Sequence, residues 1–295
     1  MKARPGRRGI MGGMVEQGEQ VEQGEQQDAI GRVAILGAGN MGGTILAGLL
    51  RAGRGPGDVV VSARRPERAQ ELKQQYGVEV MDNIGAAAWG DTVIVAVKPR
   101  DVAGLLTEIS PALRPGTLVI SLAAGQTITS LEGNVPEGTP VIRVMPNTPS
   151  LVDQGMSVLS PGTHCRPEHT ERAQELLSAT GKVLQVPESY QDAVTAVSGS
   201  GPAYVFYVAE AMIEAGVLLG LPRPTSTELV VQTLFGAATM LRQTGTHPSI
   251  LREQVTSPGG TTAAALRLLD DQRVRGAFVS AIEAACHRSE QLSKN

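Results

Sequence analysis

Cysteine and aromatic residues are the scarcest features of this chain, and each scarcity removes a class of protein. Only two cysteines occur in 295 residues, Cys165 and Cys286. They lie far apart and outside any CxxC spacing, so neither a disulfide framework nor a structural zinc site is supported. A reducing, cytoplasmic setting fits. Aromatic residues make up 3%, with a single Trp, and the formal net charge is −3. The stacking platforms and the basic field that nucleic-acid binders use are therefore both missing. No run reaches the roughly 18 uninterrupted apolar residues of a membrane span, so a soluble protein is expected, with neither nucleic acid nor membrane as partner. His164, Cys165 and His169 gather around Pro167 without a clear fourth ligand. No serine–histidine or paired-carboxylate arrangement stands out, and no metal is expected.

What is present divides into three stretches. Residues 1 to 30 carry the tandem hexapeptide "VEQGEQVEQGEQ" (Val15 to Gln26), whose polar and glycine content cannot bury enough apolar area to offset chain entropy. This tail is expected to be disordered. Arg4, Arg7 and Arg8 precede "GIMGGMV", but glycines break that stretch and it is too short for a signal peptide core. From 31 to 189, short β-branched runs such as "RVAIL", "DVVVSA", "DTVIVAVKP", "TLVISLAAG" and "PVIRVM" alternate with helix-length segments. That alternation predicts a mostly parallel sheet covered on both faces, with "MSVLS" and "KVLQVPE" extending one edge. From 190 to 295 the strand signal disappears and apolar helices follow. The expected fold is an α/β Rossmann-like N-terminal domain plus an all-α C-terminal dimerisation domain, joined near "PESYQD".

Within that frame, Gly37, Gly39 and Gly42 in "ILGAGNMGGTILAGLL" follow a strand and open a helix. This is the context in which bare backbone approaches a dinucleotide pyrophosphate and the helix start faces it. About twenty residues on, where NAD would call for a carboxylate, the chain has Ser62, Arg64 and Arg65 in "SARRPE", side chains that suit a 2′-phosphate. NADP is expected, with NADPH preferred and NAD also open. Lys98, in "VAVKP" at the end of the fourth strand, borders the ligand crevice and reads equally as a cofactor contact, a catalytic acid or a solvated lysine. Asn147 in "RVMPNTP" offers an amide at the end of the sixth.

The helical half contains "SGSGPAYVFYVAEAMIEAGVLLGLP", where Glu210 and Glu214 are the only charges between Pro202 and Pro222. They share one helical face and nearly everything else is apolar, which predicts a core shared between two subunits, with an ordinary intrachain bundle as the alternative. Further on stands "TSPGGTTAAAL" (Thr256 to Leu266). Taken alone, it reads as a Pro-Gly turn before a helix capped by Ser257 or Thr261.

Several stretches together carry a resemblance. "VAVKP", "SLAAG", "NTP", "SGSGPAY", "GLPR" and above all "VTSPGGTTAAALRLLD" are similar to the pyrroline-5-carboxylate reductase family, from about Gly31 to Leu292. The resemblance implies reduction of L-1-pyrroline-5-carboxylate to L-proline by NAD(P)H, the last step of proline biosynthesis, with the active site at the interface of a homodimer and larger homo-oligomers left open. It implies cofactor contacts at Gly37, Ala38, Gly39, Asn40, Met41, Gly42, Ser62, Asn83, Ala96, Val97, Lys98 and Ala124, and substrate contacts from Ser257 to Thr262. For a cyclic imino acid, the amides of Gly259, Gly260 and Thr261 ahead of a helix at "TAAAL" suit the carboxylate. The Thr262 hydroxyl, as the catalytic group, suits the ring nitrogen. Two other readings stay open: another NADP-dependent imine or β-hydroxyacid oxidoreductase, and a non-catalytic NADP-sensing module. A β-hydroxyacid dehydrogenase needs a lysine in the helical half, and none occurs between Val183 and Ser293.

Overall fold

The computed structural model describes residues 30–293. The expectation of a disordered tail falls outside these residues, except at Ile30, which is buried in the core. The chain divides into two compact units between Gln191 and Asp192.

The first unit is built on an eight-stranded sheet in the order β3-β2-β1-β4-β5-β6-β7-β8. Its strands are β1 (Val33–Leu36), β2 (Val59–Ser62), β3 (Glu79–Val80), β4 (Thr92–Val95), β5 (Leu118–Ser121), β6 (Val141–Met145), β7 (Gly155–Pro161) and β8 (Gly181–Gln185). All neighbouring pairs are parallel except β6 with β7. "MSVLS" and "KVLQVPE" do extend the sheet, and the reversal at β7 makes it mixed, as antiparallel edges often do on such sheets.

Side-chain alternation explains why β1, β2, β4 and β5 are buried on both faces. Val33, Ile35, Val59, Val61, Ile94, Leu118 and Ile120 point to one side, where they meet Ile45, Leu46 and Leu49 of α1 (Asn40–Arg51), Leu72 of α2 (Pro66–Tyr76) and, along the chain, Leu176 and Leu177 from the helix Pro167–Ser178. Ala34, Leu36, Val60, Val93, Val95 and Val119 point to the other side, against Ala86 and Ala87 of α3 (Asn83–Trp89), Leu105, Leu106 and Ile109 of α4 (Val102–Ile109) and Leu131 of α5 (Ile128–Glu132). Period-two residues thus feed two layers of helices from one sheet. The strand order reverses between β1 and β4, and at that switch point the loops at the carboxyl ends border a crevice outside the sheet. At the opposite end, burial disfavours charge on Asp91, but the Arg32 amide, Arg114 and the Arg32 guanidinium outweigh it and hold the carboxyl below its usual range.

The second unit is helical. Beyond α6 (Pro167–Ser178) of the first unit, it contains α7 (Gly201–Leu218), α8 (Arg223–Thr244), α9 (Pro248–Gln254), α10 (Thr261–Asp271) and α11 (Val274–Ser293). A π-helical turn at Thr195–Gly199 leads into α7. The helices α7 and α8 approach closely because Gly216 has no side chain to collide with Ser226, whose hydroxyl donates to the Ile213 carbonyl at 2.8 Å. The Ser289 hydroxyl of α11 donates to Asp192 at 2.6 Å. No described helix is long and apolar enough to cross a membrane.

Candidate active site

The glycine loop hangs on the end of β2. The amides of Gly37 and Ala38 both donate to the Ser62 carbonyl, at 3.2 and 3.0 Å, and the Gly39 amide turns back to the Gly37 carbonyl at 2.8 Å. Two of the three glycines are required by the chain itself. Gly37 has φ +92°, and a β-carbon there would lie 2.6 Å from Val97 Cγ1. A β-carbon on Gly42 would lie 2.5 Å from the Gly37 carbonyl oxygen and 3.2 Å from Ala96 Cβ. At Gly39 nothing lies within 4 Å, so its bare face opens outward to whatever approaches. Gly39 also caps α1 without any side-chain hydrogen bond, and the amides of Asn40, Met41 and Gly42 donate to no acceptor among the described residues. An uncapped first turn carries partial positive charge and free donors, which is what a pyrophosphate needs.

The β2–α2 turn sorts its polar residues into different tasks. Ser62 is buried; its hydroxyl accepts from the Gly37 amide at 3.3 Å and donates to Asn83 Oδ1 at 2.7 Å. The Ser62 hydroxyl thus ties the glycine loop to α3. Asn83 in turn donates to both carboxylate oxygens of Glu108, at 3.2 and 3.1 Å. Arg64 is exposed and pairs with Asp101 at 2.8 Å. The Arg65 side chain, at the N-cap of α2, has no hydrogen bond or ion pair among the described residues. Sequence reasoning missed Arg68. Its Nε donates to the Ala38 carbonyl at 3.2 Å and its Nη1 pairs with Glu71 at 3.0 Å, bracing the glycine loop from α2.

On the other side of the switch point, the Ala96 amide continues the ladder to the Leu36 carbonyl at 2.8 Å, and Val97 packs under Gly37. Lys98 is exposed at the start of the turn Pro99–Asp101. Ala124 is exposed between buried Ala123 and Gly125, the latter at φ +73°. Asn147 does not present its side-chain oxygen to the crevice; that atom accepts from the Met156 amide at 2.8 Å and fixes the start of β7. The His164–His169 stretch serves the start of α6: His169 Nδ1 accepts from the Arg166 amide at 3.0 Å, and burial holds the imidazole below its ordinary pKa. Burial likewise pushes the Cys165 thiol up while Sγ contacts the Val141 carbonyl at 3.1 Å.

In the helical unit, the loop between α9 and α10 repeats the physics of the glycine loop. The Thr256 hydroxyl is tied to the Arg252 carbonyl at 2.6 Å, Gly259 sits at φ +68°, and α10 begins at Thr261 with Gly260 as an N-cap lacking any side-chain bond. The helix thus starts one residue earlier than "TAAAL", and neither Ser257 nor Thr261 caps it. The expected carboxylate cradle also needs correction at Gly260, because its amide is consumed by a turn to the Ser257 carbonyl at 3.0 Å. The amides of Gly259, Thr261, Thr262 and Ala263 donate to nothing among the described residues, and the helical ladder starts at Ala264, which bonds the Gly260 carbonyl at 3.2 Å. Thr262 is half-buried, and its hydroxyl has no hydrogen bond among the described residues.

Comparison with known proteins covers both units. The family model for pyrroline-5-carboxylate reductase dimerisation matches residues 188–292, and that for NADP oxidoreductase, coenzyme F420-dependent, matches residues 32–125. A pyrroline-5-carboxylate reductase of Corynebacterium melassecola is 46% identical over 267 residues, 89% of this chain and 99% of that protein. A solved pyrroline-5-carboxylate reductase of Coxiella burnetii superposes with a TM-score of 0.86 at 36% identity, covering 90% of this chain and all of that one. The Plasmodium falciparum pyrroline carboxylate reductase, solved with NADP bound, gives 0.81 at 30% identity over 89% of this chain and 98% of its own. With near-complete coverage at these identities, the chain belongs to the pyrroline-5-carboxylate reductase family.

Proposed function

We propose that this protein reduces L-1-pyrroline-5-carboxylate to L-proline with NADPH, completing proline biosynthesis. The observation that carries the reading is the pair of uncapped helix starts. The one at Gly39, with an open face and free amides at Asn40 to Gly42, suits the cofactor pyrophosphate. The one at Gly260, with free amides at Thr261 to Ala263, suits a smaller anion, the substrate carboxylate.

The substrate is a cyclic imine with one carboxylate. NADPH supplies a hydride to the C=N carbon, the π pair moves onto nitrogen, and nitrogen holds a proton in the secondary amine formed. The chain must therefore anchor the carboxylate, orient the ring and steady the nitrogen. Gly259, at φ +68°, turns the loop into α10, whose first amides, Thr261 to Ala263, stay free of acceptors among the described residues. The unpartnered Thr262 hydroxyl, on the same turn, supports its reading as the hydrogen-bond partner of the ring nitrogen. Imines are basic enough to arrive partly protonated near neutral pH, so a polarising hydroxyl suffices in place of a strong acid. Such groups contribute about 10²–10⁴-fold in rate.

We further propose that the helical unit pairs with a second copy. Phe206, Tyr207, Leu218 and Phe235 are 67%, 74%, 89% and 65% exposed in the single chain. Fully burying a large apolar side chain is worth about 1.5–3 kcal/mol. A half-dozen such residues left in water rival a domain's whole net stability of about 5–15 kcal/mol.

The test is the loss of NADPH absorbance with purified protein and L-1-pyrroline-5-carboxylate. Turnover is expected, and Thr262→Ala should lower kcat/KM at least about tenfold with the fold intact. No turnover on this or related cyclic imino acids would leave the cofactor-sensing reading in its place. Near-normal kinetics in the variant would remove Thr262 from the chemistry.

A further inference from the structure

The two arginines that follow β2 are not equivalent, and the difference lies in a residue of another loop. Arg64 Nη2 meets Asp101 Oδ2 at 2.8 Å, while Arg65 keeps its side chain unpaired among the described residues. Asp101 closes the turn Pro99–Asp101 that follows Lys98, its own amide bonded to the Lys98 carbonyl at 2.9 Å. Its carboxylate is 30% exposed against 78% for Arg64, so the acid is the more enclosed partner and the arginine the one open to an incoming phosphate. Arg100 stands farther off, Nε to Oδ1 at 3.8 Å. The pair spans the crevice side of the switch point, from the β2–α2 turn to the β4–α4 turn.

We propose that Asp101 is a specificity-determining residue that restrains the preference for NADPH over NADH by competing for Arg64. The inference rests on the reading of Arg64 and Arg65 as the 2′-phosphate site. A 2′-phosphate carries nearly two negative charges. To use Arg64 it must either draw the guanidinium away from Asp101 or share it with a carboxylate. NADH, with a 2′-hydroxyl, meets neither penalty. An exposed ion pair by itself adds little stability, so the effect of Asp101 falls on the choice between cofactors and not on the fold. Freeing Arg64 from an exposed pair of this kind is worth up to about a factor of five in equilibrium.

Steady-state kinetics with NADPH and NADH test it. Asp101→Asn keeps the shape and removes the charge; it should lower the KM for NADPH about two- to fivefold and leave kcat and the KM for NADH near wild type. Arg64→Ala should raise the KM for NADPH selectively, and in the Arg64→Ala background Asp101→Asn should lose its effect. The proposal is overturned if Asp101→Asn leaves NADPH unchanged, alters both cofactors equally, or acts undiminished without Arg64. If Arg64→Ala weakens NADPH selectively but Asp101→Asn changes nothing, the phosphate site stands and only the competition fails. If Arg64→Ala and Arg65→Ala together weaken NADPH and NADH equally, the phosphate site itself is refuted along with the competition.

Discussion

The sheet unit and the helical unit treat their apolar residues in opposite ways. Ile35, Ile94, Ile120 and Ile142 have no exposed surface at all, whereas from Asp192 onward Ala196 and Val230 are the only buried apolar residues among those described. Both units have regular secondary structure and satisfied backbone ladders, so the difference is one of completeness. A doubly covered sheet closes its own core, because each strand delivers apolar side chains to two helical layers. Helices clad on most sides in alanine, leucine and phenylalanine have more apolar surface than their neighbours in one chain can cover. The first unit is finished by its own sequence; the second leaves apolar surface uncovered, which is the ground for the pairing proposed above.

That comparison can be broken most severely by placing the same charge in each unit. Ile120→Asp should give no folded protein, since an unpaired carboxylate would be buried in the sheet. Phe206→Asp should leave the sheet unit folded and able to bind NADPH, while weakening self-association about a hundredfold or more and abolishing turnover with it. Light scattering and NADPH fluorescence read the two properties separately. An assembly unaffected by Phe206→Asp would mean that this face does not hold the copies together.

A smaller effect separates the two kinds of glycine within the first unit. Gly37→Ala meets Val97 and a left-handed backbone, and should cost about 1–3 kcal/mol of stability, visible as a lower Tm. Gly39→Ala meets nothing in the chain. It should keep the wild-type Tm and weaken NADPH by about tenfold to a hundredfold, the worth of one charged hydrogen bond. A normal NADPH affinity in Gly39→Ala would show that the open face is not where the pyrophosphate lies.

The smallest effect concerns pH. Burial lowers the His169 pKa while Nδ1 accepts from the Arg166 amide, so around and below about pH 6.5, the ordinary imidazole value, the unfolded chain binds more protons than the folded one. Stability present above that pH is lost as pH falls toward the depressed folded value. Thermal melts of the sheet unit's signal should therefore show Tm falling from about pH 7.5 to 5.5, with a shallower slope in His169→Asn. Parallel slopes would assign the sensitivity to other groups.

The legible parts of the site were the local ones. Gly37 to Gly42 could be read because a strand that runs directly into a helix exposes amides whatever lies elsewhere, whereas Ser257 to Thr262 read alone as a capped turn and took its substrate role from the family resemblance. Even there, a one-residue shift of the helix start and the bond from Gly260 to Ser257 changed which amides are free. What escaped was set by partners far along the chain. The Arg68 brace on Ala38 crosses 30 residues, the Arg64–Asp101 pair 37, and the bond from the Ser62 hydroxyl to Asn83 crosses 21. No spacing rule connects such residues; the winding of the sheet places them together.

By itself the sequence determined the strand–helix alternation, the two glycine loops and the apolar helices, since periodicity and backbone freedom are properties of neighbours along the chain. The tertiary structure decided which strands flank the switch point, which arginine is paired and which is free, and how little of the helical unit one chain can bury. Each of these depends on surfaces brought together across long loops, where packing and charge distance rule and sequence separation has no say.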